Sequence, residues 1–450
     1  MAIIYNQIKS RTPKFTMPKS AENKKMKAGE INIDTSQLRP GVHVHLPGSW
    51  LEHEFLFSSF VIDNDDQVRQ IAALNLPKII CDVTRCKVPP LPKRKVTAAP
   101  DPANEEEKAR LAALTAKQKA EKLERIRVMS VMHERLDKTQ KHFLGATHTV
   151  GSAFKSFDAD PKESISQISQ VSEKSASILL ADMDIAVALI SEKGQRDGFA
   201  SHALSVMTLA LLLGKQARLP EEALRTLGVG ALLHDIGKSA ISTSILRNTE
   251  RNKHEQAVYT THSRIGYESA LRAGGLSQPV LEAILHHHER HDGTGFPDKL
   301  AGDEIHIAAR VIAIANRFDN LVNPIDYRRA MSPSEALSTM WVKEKMAFDP
   351  LLLQLFIRAM GVYPPGSIVQ LTDGRVGAVM LSATTEKPLS PQVMIYEPEV
   401  PRHQAIIIDL AEDSSVKIDL ALRLQDRSND ELDYLLPRRK MSWFHTEGKT

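Results

Sequence analysis

The chain is poor in cysteine: its 450 residues include only Cys81 and Cys86. Two thiols cannot build a disulfide framework, which points to a reducing compartment, and a lone C-x4-C pair is at most half of a zinc site. Both are read as ordinary half-buried thiols. Net charge is also nearly absent. Lys plus Arg number 58 and Asp plus Glu 55, a balance of +3 that gives no electrostatic reason to expect a nucleic-acid polymer as partner. Long apolar runs are missing too. The greasiest stretch, Val206 to Leu213, is interrupted by Thr208 and is too short to span a bilayer. The N-terminus carries no apolar segment of signal-peptide length. The expected location is therefore the cytoplasm, with no membrane partner. No internal repeat of fixed period occurs.

With 42% hydrophobic and 25% charged residues, the composition excludes a disordered, collagen-like or coiled-coil chain. The length suggests about three domains. Residues 1–30 form a basic, polar tail, read as disordered. Residues 31–88 alternate short apolar runs with turn signals at Pro40-Gly41, Pro47-Gly48 and Asn64-Asp65, and read as a small α+β domain. His43 and His45 share one side of a strand there, and are taken as surface or edge histidines. Residues 89–103 are a Pro-rich linker. Residues 104–180 are a helical connector, with Leu111, Leu114, Leu123, Ile126, Met129 and Leu136 at helical spacing, a break at Pro161 and Ser164 as the cap of the next helix. The connector packs on the next domain or joins two copies in a homodimer. Residues 181–362 read as consecutive helices without a strand. Residues 363–425 form a small β appendage with a hairpin at Asp373-Gly374, and 426–450 a polar tail.

Nine of the 17 histidines lie between His202 and His306. His234 and Asp235 follow the apolar VGALL, so the pair is expected to be buried with that helix. A buried carboxylate needs a partner or a metal. His202, His262 and the pair His287-His288 fall on separate helices, and a multi-metal site in a helical domain draws inward side chains from several helices. Imidazole and carboxylate suit Fe, Mn, Ni or Zn, and Asp235 is the natural bridge between two cations. Lys238, one turn after Asp235, is placed to hold a phosphate oxygen.

HDIGK together with HHERHDGTGFP resembles the HD-GYP family, a branch of the HD metal-dependent phosphohydrolases, and 31–88 is similar to a domain of unknown function often found ahead of that module. The resemblance implies a multidomain protein: an all-α HD-type metal-dependent phosphohydrolase core with a small N-terminal α+β domain and a small C-terminal β appendage. It implies a metal-dependent phosphodiesterase that hydrolyses cyclic di-GMP to linear pGpG or GMP by attack of a metal-held hydroxide. Two divalent ions are implied, iron first, with Mn, Ni or Zn as alternatives. The matched ligands are His202, His234, Asp235 and Asn316 for one metal, and Asp235, His262, His287 and His288 for the other. Asp235 and Lys238 carry the catalytic roles. Lys238 and Arg328 contact phosphate, and the loop of Gly293, Gly295, Phe296 and Pro297 completes the substrate site or offers a surface to a protein partner.

Three positions depart from the family pattern. Asn316 stands where an aspartate ligand is usual and brings no negative charge. Asp319, one turn later, is not counted among the ligands. Ile325 stands at a position commonly basic, leaving Arg328. Gly198 stands where three-metal members carry a glutamate, so two metals are expected. These departures keep alternatives in view: a degenerate module that binds nucleotide or a signalling partner, or a phosphohydrolase for another cyclic nucleotide.

Overall fold

The computed structural model describes residues 29–93, 105–190, 198–383 and 387–436, apart from short gaps at 48–52, 54, 56–57, 75, 77, 182–183, 185, 188–189, 399, 401, 403–404 and 414. Nearly all of the basic tail, most of the Pro-rich linker and residues 437–450 of the polar tail lie outside the described residues. Two units are resolved by contacts, one up to Glu124 and one from Arg125.

The first unit pairs β1 (Glu30–Ile33), β2 (His43–His45), β3 (Ser59–Val61) and β4 (Ile79–Asp82) into an antiparallel sheet of order β1-β4-β2-β3. Helix α1 (Asp65–Ala73) is capped by Asn64, whose side chain accepts from the Gln67 N–H at 3.0 Å. Alternate residues of the strands turn Ile33, Val44, Ile79 and Cys81 into a core with Ile71 of the helix. One expectation fails here. His43 is 2% exposed and its Nε2 lies 3.2 Å from Ser59 Oγ. The reason is topological: β2 lies between β4 and β3, so it has no free edge.

Helix α2 (Glu105–Ser156) begins in this unit. Gln118 Oε1 accepts from Gln70 Nε2 at 2.9 Å, and Lys122 Nζ donates to the carbonyls of His53 and Phe55 at 2.8 and 3.2 Å. The buried stripe thus passes through Lys122, not through Leu123, which is 55% exposed. Two carbonyls satisfy the ammonium and make its burial tolerable. The first turns of the expected connector belong to the α+β unit.

In the second unit the rest of α2 joins the core. Phe143, Val150 and Phe157 are buried there with Ile165 and Ile168 of α3 (Pro161–Ala181), each such side chain contributing roughly 1.5–3 kcal/mol. Ser164 does not cap α3. The helix already starts at Pro161, where a missing N–H costs nothing, and Asp160 accepts from the Glu163 N–H at 3.2 Å. Helices α4 (Gly198–Gln216), α5 (Glu221–Leu233), α6 (Thr243–Arg247), α7 (Lys253–Thr260), α8 (His262–Ala273), α9 (Gln278–His286), α10 (Ile307–Val322), α11 (Pro333–Lys343) and α12 (Pro350–Met360) follow. By length and composition α4 is apolar enough to cross a membrane, but 78% of its apolar window is buried within the protein: it is the core helix against which α5, α10 and α12 pack.

The appendage is a five-stranded antiparallel sheet of order β8-β7-β6-β5-β9, from β5 (Ile368–Leu371), β6 (Val376–Leu381), β7 (Gln392–Ile395), β8 (Ile407–Asp409) and β9 (Ile418–Leu422). The β5–β6 turn closes at Gly374, whose φ is 86°, as the Asp373-Gly374 signal anticipates. The polar tail is not wholly a tail. Residues Asn429–Leu435 form α13, capped by Ser428, and its end buries Leu435 and Leu436 against the sheet and against Met132 and Leu136 of α2.

Candidate metal centre

Four segments of the second unit bring the imidazoles together. His202 comes from the first turns of α4. His234 and Asp235 sit where α5 ends and a 3-10 turn, Ile236–Ala240, begins. His262 opens α8, and His287 and His288 follow α9. The 3-10 turn comes very close to α8: a Cβ on Gly237 would lie 2.1 Å from the His262 carbonyl oxygen, so only glycine admits this approach.

The rings are aimed by one recurring device. The Nδ1 atoms of His234, His262 and His287 each donate to the carbonyl three residues earlier, those of Ala231, Tyr259 and Ile284, at 2.7, 2.6 and 2.8 Å. That bond fixes the tautomer and leaves Nε2 as the free lone pair, the arrangement found for metal-bound histidine. All three Nε2 atoms face Asp235: His234 lies 3.4 Å from Oδ2, and His262 and His287 lie 3.5 and 3.6 Å from Oδ1. His202 Nε2 is 3.6 Å from Oδ2 and 3.1 Å from Asn316 Oδ1.

Two ligand groups sharing one carboxylate result. Asp235, His262, His287 and His288 bring ligand atoms within 4.8 Å of one another, and so do His202, His234 and Asp235. The interior there carries unmet polar capacity. His234 Nε2, Asp235 Oδ1 and His288 Nε2 are buried with no hydrogen-bond partner, a costly state for a protein alone and the expected one for ligands of a cation. The residues therefore fit a pair of divalent metals.

Charge is arranged to match. Burial works against the Asp235 carboxylate, but His234 and Lys238 overcome it and hold the group well below its ordinary range. Lys238 Nζ donates to Asp235 Oδ2 at 2.5 Å. Burial disfavours its charge, and the Asp235 carboxylate reverses that, holding the ammonium above its usual value. Burial pushes His262 down to about 3 and His287 down to about 4, so both are neutral at neutral pH, the form that binds metal.

The GTGFP loop packs against this centre. Gly293 takes φ 74° in a turn whose N–H reaches the Arg290 carbonyl at 2.8 Å. A Cβ on Gly295 would fall 2.4 Å from Arg290 N. Phe296 stacks on His288 with ring centroids 4.6 Å apart, and Pro297 follows it. A cleft of about 540 Å³ opens over His287, His288, Gly295, Phe296 and Asn316.

Arg328 is not among the residues lining that cleft. Its guanidinium is exposed and bonds Asp326 at 2.9 and 3.0 Å. Ile325 is exposed as well. Arg290 and Arg317 do line the cleft, beside Glu289 and Glu344; Arg317 is the bidentate partner of Glu344 at 2.8 and 2.5 Å, and Arg290 bonds Asp292 at 3.4 Å. Sequence reasoning missed both arginines, although each adjoins a residue it named or a motif it quoted. It also missed Tyr259, which lines the cleft, holds His262 through its carbonyl and lies 5.6 Å from Lys238 Nζ by its ring. Asp319 is absent from both ligand groups, but it bonds His202 Nδ1 at 2.6 Å.

Residues 184–352 match the family model described as an HD domain, and residues 30–168 match a domain of unknown function, DUF3391. A cyclic di-GMP phosphodiesterase of Pseudomonas aeruginosa is 29% identical over 381 residues, covering 81% of this chain and 84% of that protein. The cyclic di-GMP phosphodiesterase response regulator RpfG of Xanthomonas campestris is 36% identical over 168 residues, 36% of this chain and 44% of its own length. The 3'3'-cGAMP-specific phosphodiesterase 2 of Vibrio cholerae is 34% identical over 127 residues, 28% of this chain and 24% of its own length. Among solved structures, an HDG"Y"P protein from Bdellovibrio bacteriovorus aligns with TM-score 0.45 at 14% identity, over 73% of this chain and 98% of that one.

Proposed function

We propose that this chain, whose residues 184–352 match an HD domain and residues 30–168 a DUF3391 domain, is a cyclic di-GMP phosphodiesterase of the HD-GYP kind working with two divalent metals. The observation that carries the reading is Asp235, a buried carboxylate faced by four imidazole Nε2 atoms, two of them at Oδ1 and two at Oδ2. A carboxylate so placed could be shared by two cations: His202, His234 and Asn316 would help hold one, and His262, His287 and His288 the other. Bound metals would supply a Lewis acid and activate water for attack on phosphorus.

The chain's own residues do the rest. The carbonyls of Ala231, Tyr259 and Ile284 keep the ligand rings oriented. Lys238 sits beside the bridge as a fixed positive charge and takes a non-attacking phosphate oxygen when substrate displaces part of its bond to Asp235. Arg317 and Arg290, which line the cleft, take phosphate oxygens when substrate displaces part of their bonds to Glu344 and Asp292. Hydrolysis adds water across one phosphodiester: the hydroxyl goes to phosphorus, the proton to the departing 3' oxygen, and the product is linear pGpG. A second cleavage gives GMP. Iron is the first candidate metal, and Mn, Ni and Zn suit the same donors.

The test is anaerobic purification, elemental analysis and incubation with a panel of cyclic dinucleotides. Asp235→Ala is expected to lose both metal content and turnover. Full turnover in that variant would overturn the mechanism. Preference for a mixed guanine–adenine dinucleotide, the specificity named for some Vibrio cholerae relatives, would move the substrate while leaving the centre intact. Binding without product would make the domain a sensor.

A further inference from the structure

The two cysteines carry an inference independent of the catalytic reading. Cys81 lies on β4, opposite Val44 of β2, and is wholly buried. Cys86 lies just beyond the turn that leaves β4 and is half-buried. Their Sγ atoms are 3.5 Å apart, as two thiols. We propose that Cys81 and Cys86 form a reversible intramolecular disulfide, making the sheet domain a redox-modifiable unit.

The geometry is held from both sides. Arg85 N–H donates to the Asp82 carbonyl at 3.2 Å, closing the turn. Beyond Cys86, the N–H groups of Lys87 and Val88 both donate to the Gly41 carbonyl, at 2.8 and 3.2 Å. Cys86 Sγ itself accepts from the His43 N–H at 3.2 Å and faces the Asp82 carbonyl at 3.3 Å. Forming the bond requires the sulfurs to close by about 1.5 Å, a shift within reach of side-chain rotation in a pair already in contact.

The two thiols have different parts to play. Cys86 is the accessible one, half-buried where Cys81 is wholly covered. It attacks a small-molecule disulfide, forming a mixed disulfide and releasing one thiolate. Cys81 then attacks the Cys86 sulfur, the second small thiol leaves, and it takes the Cys81 proton. Two protein thiols are oxidised and one external disulfide is reduced to two thiols. Burial and the hydrogen bond and charge of Cys86 push the Cys81 thiol up to about 12. The mixed disulfide removes the Cys86 thiol as a hydrogen-bond partner of Cys81, and with it part of the obstacle to the second step. The loop closed is short, so the bond restricts the unfolded chain little. It therefore acts as a reversible modification and not as a structural staple.

The experiment uses the full chain, reduced, desalted and incubated with oxidised glutathione. These are its only cysteines, so thiol titration after denaturation reads this pair directly. The expected result is a fall from two thiols to none, with an intact mass lower by two hydrogens, no retained glutathione, a monomer on a non-reducing gel, and full recovery with dithiothreitol. Cys81→Ala is expected to retain glutathione on Cys86, and Cys86→Ala to leave Cys81 unmodified while folded. Persistence of both thiols, a stable glutathione adduct in the unsubstituted chain, or a disulfide between two chains would each overturn the proposal.

Discussion

Asp319 Oδ2 lies 2.6 Å from His202 Nδ1, so a carboxylate on α10 orients the first imidazole of the centre. Three of the other four rings, His234, His262 and His287, rely on carbonyls of their own segments for this. Asp319 is buried, and its second oxygen accepts from Asn323 Nδ2 at 2.9 Å, which pins the carboxylate against α4. A ligand's outer-shell carboxylate raises ligand basicity and fixes the ring, and its loss commonly costs about 10–100-fold in metal affinity. Asp319→Asn is expected to weaken metal binding at the His202 site by that order while the Asp235–His262–His287–His288 site stays loaded. Competition with a chelator, read by elemental analysis, shows this as one metal lost before the other. Equal retention of both metals would remove Asp319 from the positioning role.

Asn316 gives a prediction of the opposite sign. Its Oδ1 lies 3.1 Å from His202 Nε2 and accepts from Asn320 Nδ2 at 2.6 Å. It is a neutral donor whose lone pairs are already shared. Asn316→Asp adds a charge beside a dication and keeps an oxygen for Asn320. Metal retention at that site is expected to rise on the order of tenfold, about 1.4 kcal/mol. Slower chelator-induced release is the readout, and an unchanged release rate would mean that residue 316 is not a ligand.

Much of this was legible in the chain because the chemistry is carried by rare residue types in compact motifs. His234-Asp235, His287-His288 and the GTGFP loop declare themselves by type and spacing, and the structure brings them together. The β appendage was legible from alternation and from Asp373-Gly374. What escaped depends on packing between distant segments. Asp319 has no local mark that separates orienting a ring from binding a metal, since that follows from how α10 meets α4. Lys122 is buried because two carbonyls near Phe55 receive its ammonium, a fact no helical periodicity contains. Arg328 is basic and suitably spaced, but Asp326 two residues earlier engages it at the surface.

Gly295 tests the loop. A Cβ there would lie 2.4 Å from Arg290 N and 2.5 Å from Glu289 Cα, both backbone atoms that a rotamer change cannot relieve. The loop must move, and Phe296 is drawn off the face of His288. Gly295→Ala is expected to lower stability by about 1–3 kcal/mol. Turnover is expected to fall further than stability explains, because the displaced Phe296 no longer packs on His288, a candidate ligand. Thermal unfolding and activity measured on one preparation separate the two effects. Unchanged melting temperature and unchanged turnover together would show that the loop has room the structure denies.

His43 offers a pH signature away from the centre. Burial, with Arg85 nearby adding its positive charge, pushes this imidazole down to about 4, against 6.5 for the ordinary side chain. The folded protein therefore holds it neutral while the unfolded chain takes up a proton below 6.5. Its stabilising contribution is complete above that value and is lost as pH falls toward about 4, by on the order of 3 kcal/mol in full. His43→Gln removes the titration and can still bond Ser59. Comparing melting temperatures at about pH 7 and about pH 5, the variant is expected to lose less than the parent chain, since every other titrating group is shared and cancels in the difference. Equal losses would show that the His43 imidazole is protonated in the folded sheet, and that its burial carries no charge penalty.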